Sequence, residues 1–232
     1  MYSIIVHGGV GAVPPTSKRL SSPGVREAVL AGSDVPAGSG SSMDAVETAM
    51  KVLEDNPLFN AGTGSVLTFD GEVEMNAAVA HGPALGFGAI AGIRNIEHPI
   101  SLAHMVMDKT DHVLLQDSGA QEFACRWASR LTIPLSRKGT PSGASTASAS
   151  STGPGESMLR ILLTKTACDS MRMGIDAEGA ASSAVNVLSN VLGTEAGIIV
   201  IDNRGGISLA QNTPHMAHAW FKQGMPEPVA GL

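Results

Sequence analysis

Two short stretches carry residue types that acyl chemistry uses. In Ser151-Thr152-Gly153-Pro154-Gly155-Glu156 a hydroxyl is followed by two glycines just before a helical pattern. Backbone N–H groups at such a junction, with a hydroxyl beside them, suit an oxyanion or a carboxylate. The same letters also read as a plain N-cap, with Ser151 or Thr152 at the cap and Pro154 near the first turn. In Leu53-Glu54-Asp55-Asn56-Pro57-Leu58-Phe59-Asn60-Ala61-Gly62-Thr63-Gly64 a helix ends and the chain turns tightly. Orphan carbonyls at a helix C-terminus can ligate a hard cation. The Asn60 amide could donate to a reacting carbonyl, or it could cap its own loop backbone.

Other candidates are weaker. His7-Gly8-Gly9-Val10-Gly11 follows a strand and offers N–H groups to an anion, or is a tight turn. It lacks the G-x-G-x-x-G spacing and a following helix, which counts against a dinucleotide site. His215 and His218 lack an evident third ligand and read as a surface pair. No H-E-x-x-H, C-x-x-C or P-loop is present, so zinc, iron–sulfur and Walker-type chemistry lack support.

The elements that must position these residues are mixed. Ser3–Val6 reads as a short strand, and a helix is expected near Val25–Ala31. Val46, Ala49, Met50 and Leu53 mark one apolar helix face, opened by Ser41 and Asp44 as a capping box. Val66–Phe69 and Glu72–Val79 around Asp70-Gly71 predict a hairpin. Gly86–Ile93 predicts a strand; Pro99–Met107, Gly119–Leu131, Glu156–Met173 and Ala177–Leu192 predict helices. Gly197–Ile201 and Ile207–Gln211 predict a second hairpin. Helices packed on mainly antiparallel sheet give an α+β class.

Composition narrows the functions. A chain of 232 residues fits one domain. The net charge of −6, without a basic patch, argues against a nucleic-acid partner. No apolar run approaches the roughly 20 residues that span a bilayer, and the N-terminus has no basic n-region, so neither membrane nor secretion is expected. Cys125 and Cys168 read as buried small hydrophobes in a reduced, cytoplasmic setting. No organic cofactor is expected.

Together "IIVHGGVGA", "DAVETAMKVLEDNPLFNAGTGSVL", "GEVEMNAAV", "GAIAGIRNIEHPISLAHMVMDKT", "STGPGES" and "GIIVIDNRGGISLAQNT" resemble, in order, the plant-type L-asparaginase and isoaspartyl peptidase family. The resemblance implies the αββα sandwich of N-terminal-nucleophile hydrolases. It implies a precursor that cuts itself before a threonine, whose hydroxyl becomes the nucleophile and whose new α-amine is the base. Substrates would be L-asparagine and β-aspartyl dipeptides, and the protein would pair as a homodimer. By match, Asn60 would assist the nucleophile, Thr152 and Gly153 would form the oxyanion hole, and Gly153 and Gly155 would line the substrate site. Main-chain carbonyls of Leu53, Glu54, Asn56, Phe59, Ala61 and Thr63 would hold a structural sodium ion.

The family's Gly-Thr-Val-Gly strand, which carries the nucleophile, is not found, nor is its Gly-Arg-Val-Gly-Asp substrate clamp. The nearest candidate nucleophile is Thr140 in Gly139-Thr140-Pro141. Pro141, however, cannot donate in a following strand. On this reading residues 1–134 resemble the family's α-subunit and 151–232 the later part of its β-subunit. Residues 135–150 are a linker across a deletion. The expected result is a sandwich incomplete in its central sheets, with little or no activity, as in a shortened splice form. The alternative is a non-catalytic relative that pairs with a full-length subunit or binds a ligand.

Overall fold

A computed structural model describes residues 2–10, 15–128 and 147–232. Thr140 and most of the expected linker lie outside the described residues. Nine strands and seven α-helices are assigned among the described residues. In chain order they are β1 (Ser3–Val10), α1 (Pro15–Ala37), α2 (Ser42–Asp55), β2 (Met75–His81), β3 (Gly86–Ile93), α3 (Pro99–Lys109), β4 (Leu114–Gln116) and α4 (Asp117–Ala128). After the gap come β5 (Ser148–Thr152), α5 (Gly155–Arg160), α6 (Leu163–Arg172), α7 (Ala177–Leu192), β6 (Gly197–Ile201), β7 (Ile207–Gln211), β8 (Met216–Lys222) and β9 (Val229–Gly231).

The strands form three small sheets, β1-β8-β9, β2-β3-β4 and β5-β6-β7. All pairings are antiparallel except β3 with β4. Each sheet carries its own helices. α1 covers β1 and β8 and packs on α2, α3 covers β2 and β3, and α6 and α7 cover the third sheet. β1 also meets β6, so the first and third sheets touch. Ile4, Val6, Val25 and Leu53 fill the first core, Ile90, Ile93 and Val106 the second, and Leu163, Leu188, Ile198 and Val200 the third. Each such side chain contributes about 1.5–3 kcal/mol when fully buried.

Local signals read well where they are self-contained. The Ser41–Asp44 capping box forms, with reciprocal bonds of 3.1 and 3.0 Å. α7 spans its expected residues, with Asp176 accepting from the Gly179 N–H at 2.8 Å and Gly193 closing it in the left-handed region. The hairpin of β6 and β7 forms in full.

Several expectations are corrected. The strand does not close at His7: β1 runs on to Val10 through a bulge, and Gly11 lies outside the described residues. Gly8 is there because a Cβ would sit 2.3 Å from the Phe59 ring. The Asp-Gly turn forms, with Gly71 N–H donating to Thr68 O, but Val66–Phe69 is not a strand. Met75–His81 pairs instead with Gly86–Ile93. Val66, Leu67 and Phe69 are left exposed, Phe69 completely. On α2, Ala49 and Leu53 are buried as expected, whereas Val46 is exposed and Met43, Ala45 and Glu54 are buried instead.

The expected helix Glu156–Met173 breaks at Leu162, which takes φ +50°. The break lets Leu163 enter the third core while Leu159 and Leu162 stay exposed. β5 starts at Ser148, inside the segment expected as linker, because it pairs along β6. His218 is half-buried, in β8 opposite His7.

Candidate active site

A cavity of about 910 Å³ opens between the sheets. Its walls come from β1, one side of α2 along its length, the loop at residues 60–66, the start of α3, and β2, β5 and β6. Each of β1, β2 and β5 is the outer strand of its sheet. Among the described residues, three strand edges without a pairing partner therefore border one space. Unpaired edge N–H and C=O groups are ready to pair with another strand.

Asn60 and Ser148–Ser151 are brought together on this cavity, but Thr152, Gly153 and Gly155 are not part of its lining. Asn60 Oδ1 accepts from the Val66 N–H at 3.0 Å. Its side chain thus does cap its own loop, which fixes the amide and leaves its NH₂ as the end that can donate. Thr152 closes β5 opposite Gly197. Gly153 follows at φ +146°, and a Cβ there would lie 2.9 Å from Glu195 O and 3.0 Å from Ala196 Cβ. Only glycine fits such a backbone without strain. Gly153→Ala is expected to cost about 2 kcal/mol, a Tm fall of about 4–8 °C, read by thermal unfolding. Gly155 opens the short α5 with open space around its Cα.

One pairing on the cavity wall had no sequence signal. His7 Nε2 lies 3.0 Å from Ser150 Oγ. Burial pushes the His7 imidazole down to about 4, so it is neutral at pH 7. A neutral histidine beside a hydroxyl resembles half of a nucleophile–base pair. Yet the Gly9 N–H points at His7 Nδ1, 3.4 Å away. Nδ1 is therefore the acceptor, Nε2 carries the hydrogen, and it is donated to Ser150. In that tautomer the ring cannot take the serine proton.

The helix-end loop is tightly closed. The carbonyls of Leu53, Asn56, Phe59 and Ala61 each accept one backbone N–H and keep a second lone pair. A Cβ on Gly62 would lie 2.3 Å from Glu54 O, and one on Gly64 2.1 Å from Phe59 O. The loop is thus lined with carbonyl oxygens against bare backbone, a donor set that fits a hard cation.

Two carboxylates, the half-buried Glu47 and the buried Glu54, hold α2 against α3. Glu47 accepts from Ser101 Oγ at 2.6 Å, from His104 Nδ1 at 2.6 Å and from Lys51 Nζ at 2.7 Å. Burial raises the Glu47 carboxyl, but these donors together outweigh it and hold it down at about 2. The same bond raises the His104 imidazole against its own burial. Glu54 Oε1 accepts from the Ile100 N–H at 3.0 Å. There burial prevails and pushes the carboxyl up to about 7.

The chain thus combines a mixed α/β fold, a cavity bordered by strand edges, a capped asparagine loop and a glycine-bearing strand-to-helix junction. The family model described as asparaginase matches residues 1–132 and 133–229. The plant-type L-asparaginase of Pyrococcus abyssi is 38% identical, with all of both chains covered over 308 positions. The isoaspartyl peptidase/L-asparaginase of Xenopus laevis is 31% identical over 94% of this chain and 92% of its own length. That of Danio rerio is 46% identical over 52% of this chain and 39% of its own. The chain belongs to the asparaginase family. The alignment to the Pyrococcus relative spans 308 positions against 232 residues here, so at least 76 of them (308 − 232) have no counterpart in this chain.

Proposed function

We propose that this chain is an asparaginase-family member that keeps part of the substrate-side scaffold and lacks the group that does the chemistry. The family reaction is hydrolysis of the side-chain amide of L-asparagine and of β-aspartyl dipeptides, after self-cleavage to a threonine nucleophile. The carrying observation is the gap of at least 76 positions, with the two family matches abutting between residues 132 and 133. The contact between the first and third sheets, each with helices on its other side, supports an αββα arrangement. The open edges of β1, β2 and β5 support its being incomplete in the centre.

Within that arrangement Asn60 would donate to a reacting group at the cavity. Thr152 and Gly153 would supply the oxyanion hole, and Gly153 and Gly155 the substrate contact. A sodium ion held by the carbonyls of Leu53, Glu54, Asn56, Phe59, Ala61 and Thr63 would supply positive charge that fixes the loop bearing Asn60. The setting is the cytoplasm. Intact-mass spectrometry after long incubation, with ammonia release from L-asparagine, tests the reading. Cleavage with turnover would remove it.

One observation favours a second reading, a non-catalytic relative that acts by pairing. Three strand edges and the exposed Val66 border one cavity, and the exposed Leu67 and Phe69 follow Val66 in the chain. Sedimentation over a micromolar concentration series should show mass rising above the 23.7 kDa of one chain. Leu67→Lys with Phe69→Lys should reduce it. A mass of one chain across the series would discard pairing between copies.

A further inference from the structure

Where α2 ends against the start of α3, three side chains turn ligating atoms toward one another. Asp55 closes α2, and Glu97 and His98 precede Pro99. One ligand atom from each lies within 4.8 Å of the others. His98 Nε2 is 3.8 Å from Asp55 Oδ1. Behind them sits Glu54, only 3% exposed. Its Oε2 is buried with no hydrogen-bond partner and faces His98 Nδ1, also buried and unpartnered, at 3.4 Å. Beside that carboxylate the favoured tautomer carries its hydrogen on Nδ1. The Nε2 lone pair then faces the Asp55 and Glu97 carboxylates. With the ring neutral, three acceptors brought together repel one another unless a cation lies among them, and a second proton on the ring or a metal ion would relieve that.

We propose that Asp55, Glu97 and His98 bind a divalent transition metal of the zinc class, with Glu54 as a positioning residue that orients His98. A carboxylate behind a ligating histidine fixes its tautomer and raises its basicity. One imidazole and two carboxylates suit zinc, with water completing the shell, better than magnesium or calcium, which prefer all-oxygen shells. Zinc bonds of about 2.0–2.2 Å place neighbouring ligand atoms about 3.3 Å apart. Asp55 and Glu97 are exposed, so their carboxylates can close that distance. The ion would clamp the end of α2 to the start of α3. It uses side chains, unlike the carbonyl loop that follows, and it does not depend on the catalytic reading.

Calorimetric titration of the full chain with zinc chloride at pH 7.5, after dialysis against chelator, tests the site. One saturable equivalent is expected, with cobalt(II) giving a visible spectrum on the same site. His98→Ala, Asp55→Asn and Glu97→Gln should each weaken binding at least tenfold, and Glu54→Gln by about 10–100-fold. Zinc at about 100 times its Kd should raise Tm by about 5–10 °C. Absence of a saturable equivalent would overturn the proposal, as would binding unchanged in Asp55→Asn and His98→Ala. The exposed Asp55 and Glu97 variants decide the matter even if the Glu54 variant fails to fold.

Discussion

Held for days in buffer and then weighed intact, the purified chain should give one mass, and L-asparagine or a β-aspartyl dipeptide should release no product above background. The expected deficit is large. Removing the nucleophile or base of a coupled set typically lowers kcat by about 10⁴ to 10⁶. An oxyanion hole and binding alone leave only about 10³ to 10⁴ over water. Even that residue requires the donors to face bound substrate, and Thr152 and Gly153 are not on the cavity wall that holds Asn60. The family's arginine and aspartate clamp is also missing from the sequence, so orientation is lost with it. Two fragments meeting at Thr140, with ammonia appearing as they form, would show a working nucleophile in residues 129–146 and overturn this reading. Ser150→Ala supplies the remaining control. The hydrogen on His7 Nε2 leaves Ser150 without a base, so the variant should match the parent at background. A loss of measurable turnover on that substitution would instead make Ser150 the nucleophile.

How far the sequence could be read depended on whether each signal was local. The capping box, α7 and the β6–β7 hairpin rest on caps and turns a few residues apart, and they appear as expected. The expected 66–79 hairpin is different. Its Asp-Gly turn is local and forms, but an edge strand needs a partner across the sheet, and β3 took Met75–His81. The helix from Glu156 split because Leu163 gains more from the core than one helical residue costs at Leu162. β8 carries only a weak local signal: its buried Met216, Ala217 and Ala219 are small or interrupted by the polar His218. At the site, the Asn60 loop and the Thr152 junction are legible as motifs, though the structure brings only Asn60 to the cavity. The His7–Ser150 contact joins residues 143 apart in sequence, and Glu54–His98 depends on how α2 meets α3. Neither is written in spacing. Glu47 and Glu54 do stand one heptad apart on α2, a charged stripe beside the apolar face that could have been questioned.

That stripe sets the second large effect. Glu47→Ala should cost about 3 kcal/mol, because it strips partners from Ser101, His104 and Lys51 at once and leaves a buried imidazole unpaired. For a chain of this size the Tm falls by about 6–12 °C. His104 and Glu47 side chains are only 6% and 13% exposed, so solvent screens the pair little. The pH dependence follows from the two shifts. Glu47 is depressed from its ordinary 4.5 to about 2, so its contribution is complete above pH 4.5 and drains as pH falls toward 2. His104 is raised above its ordinary 6.5, so its contribution is complete below pH 6.5 and is lost as pH rises through the folded value. Asp108 and Asp44 push His104 the same way, and Lys51 supports Glu47. The contribution of this pair should therefore form a plateau between about pH 4.5 and 6.5, falling on both sides, on top of the opposing slopes that His7 and Glu54 give over that range. Glu47→Gln keeps the shape and removes the charge, so both limbs should flatten in urea melts taken from pH 3 to 9. If Glu47→Gln kept the parent's acid limb unchanged, other carboxylates would carry it and the α2–α3 tie would not be electrostatic.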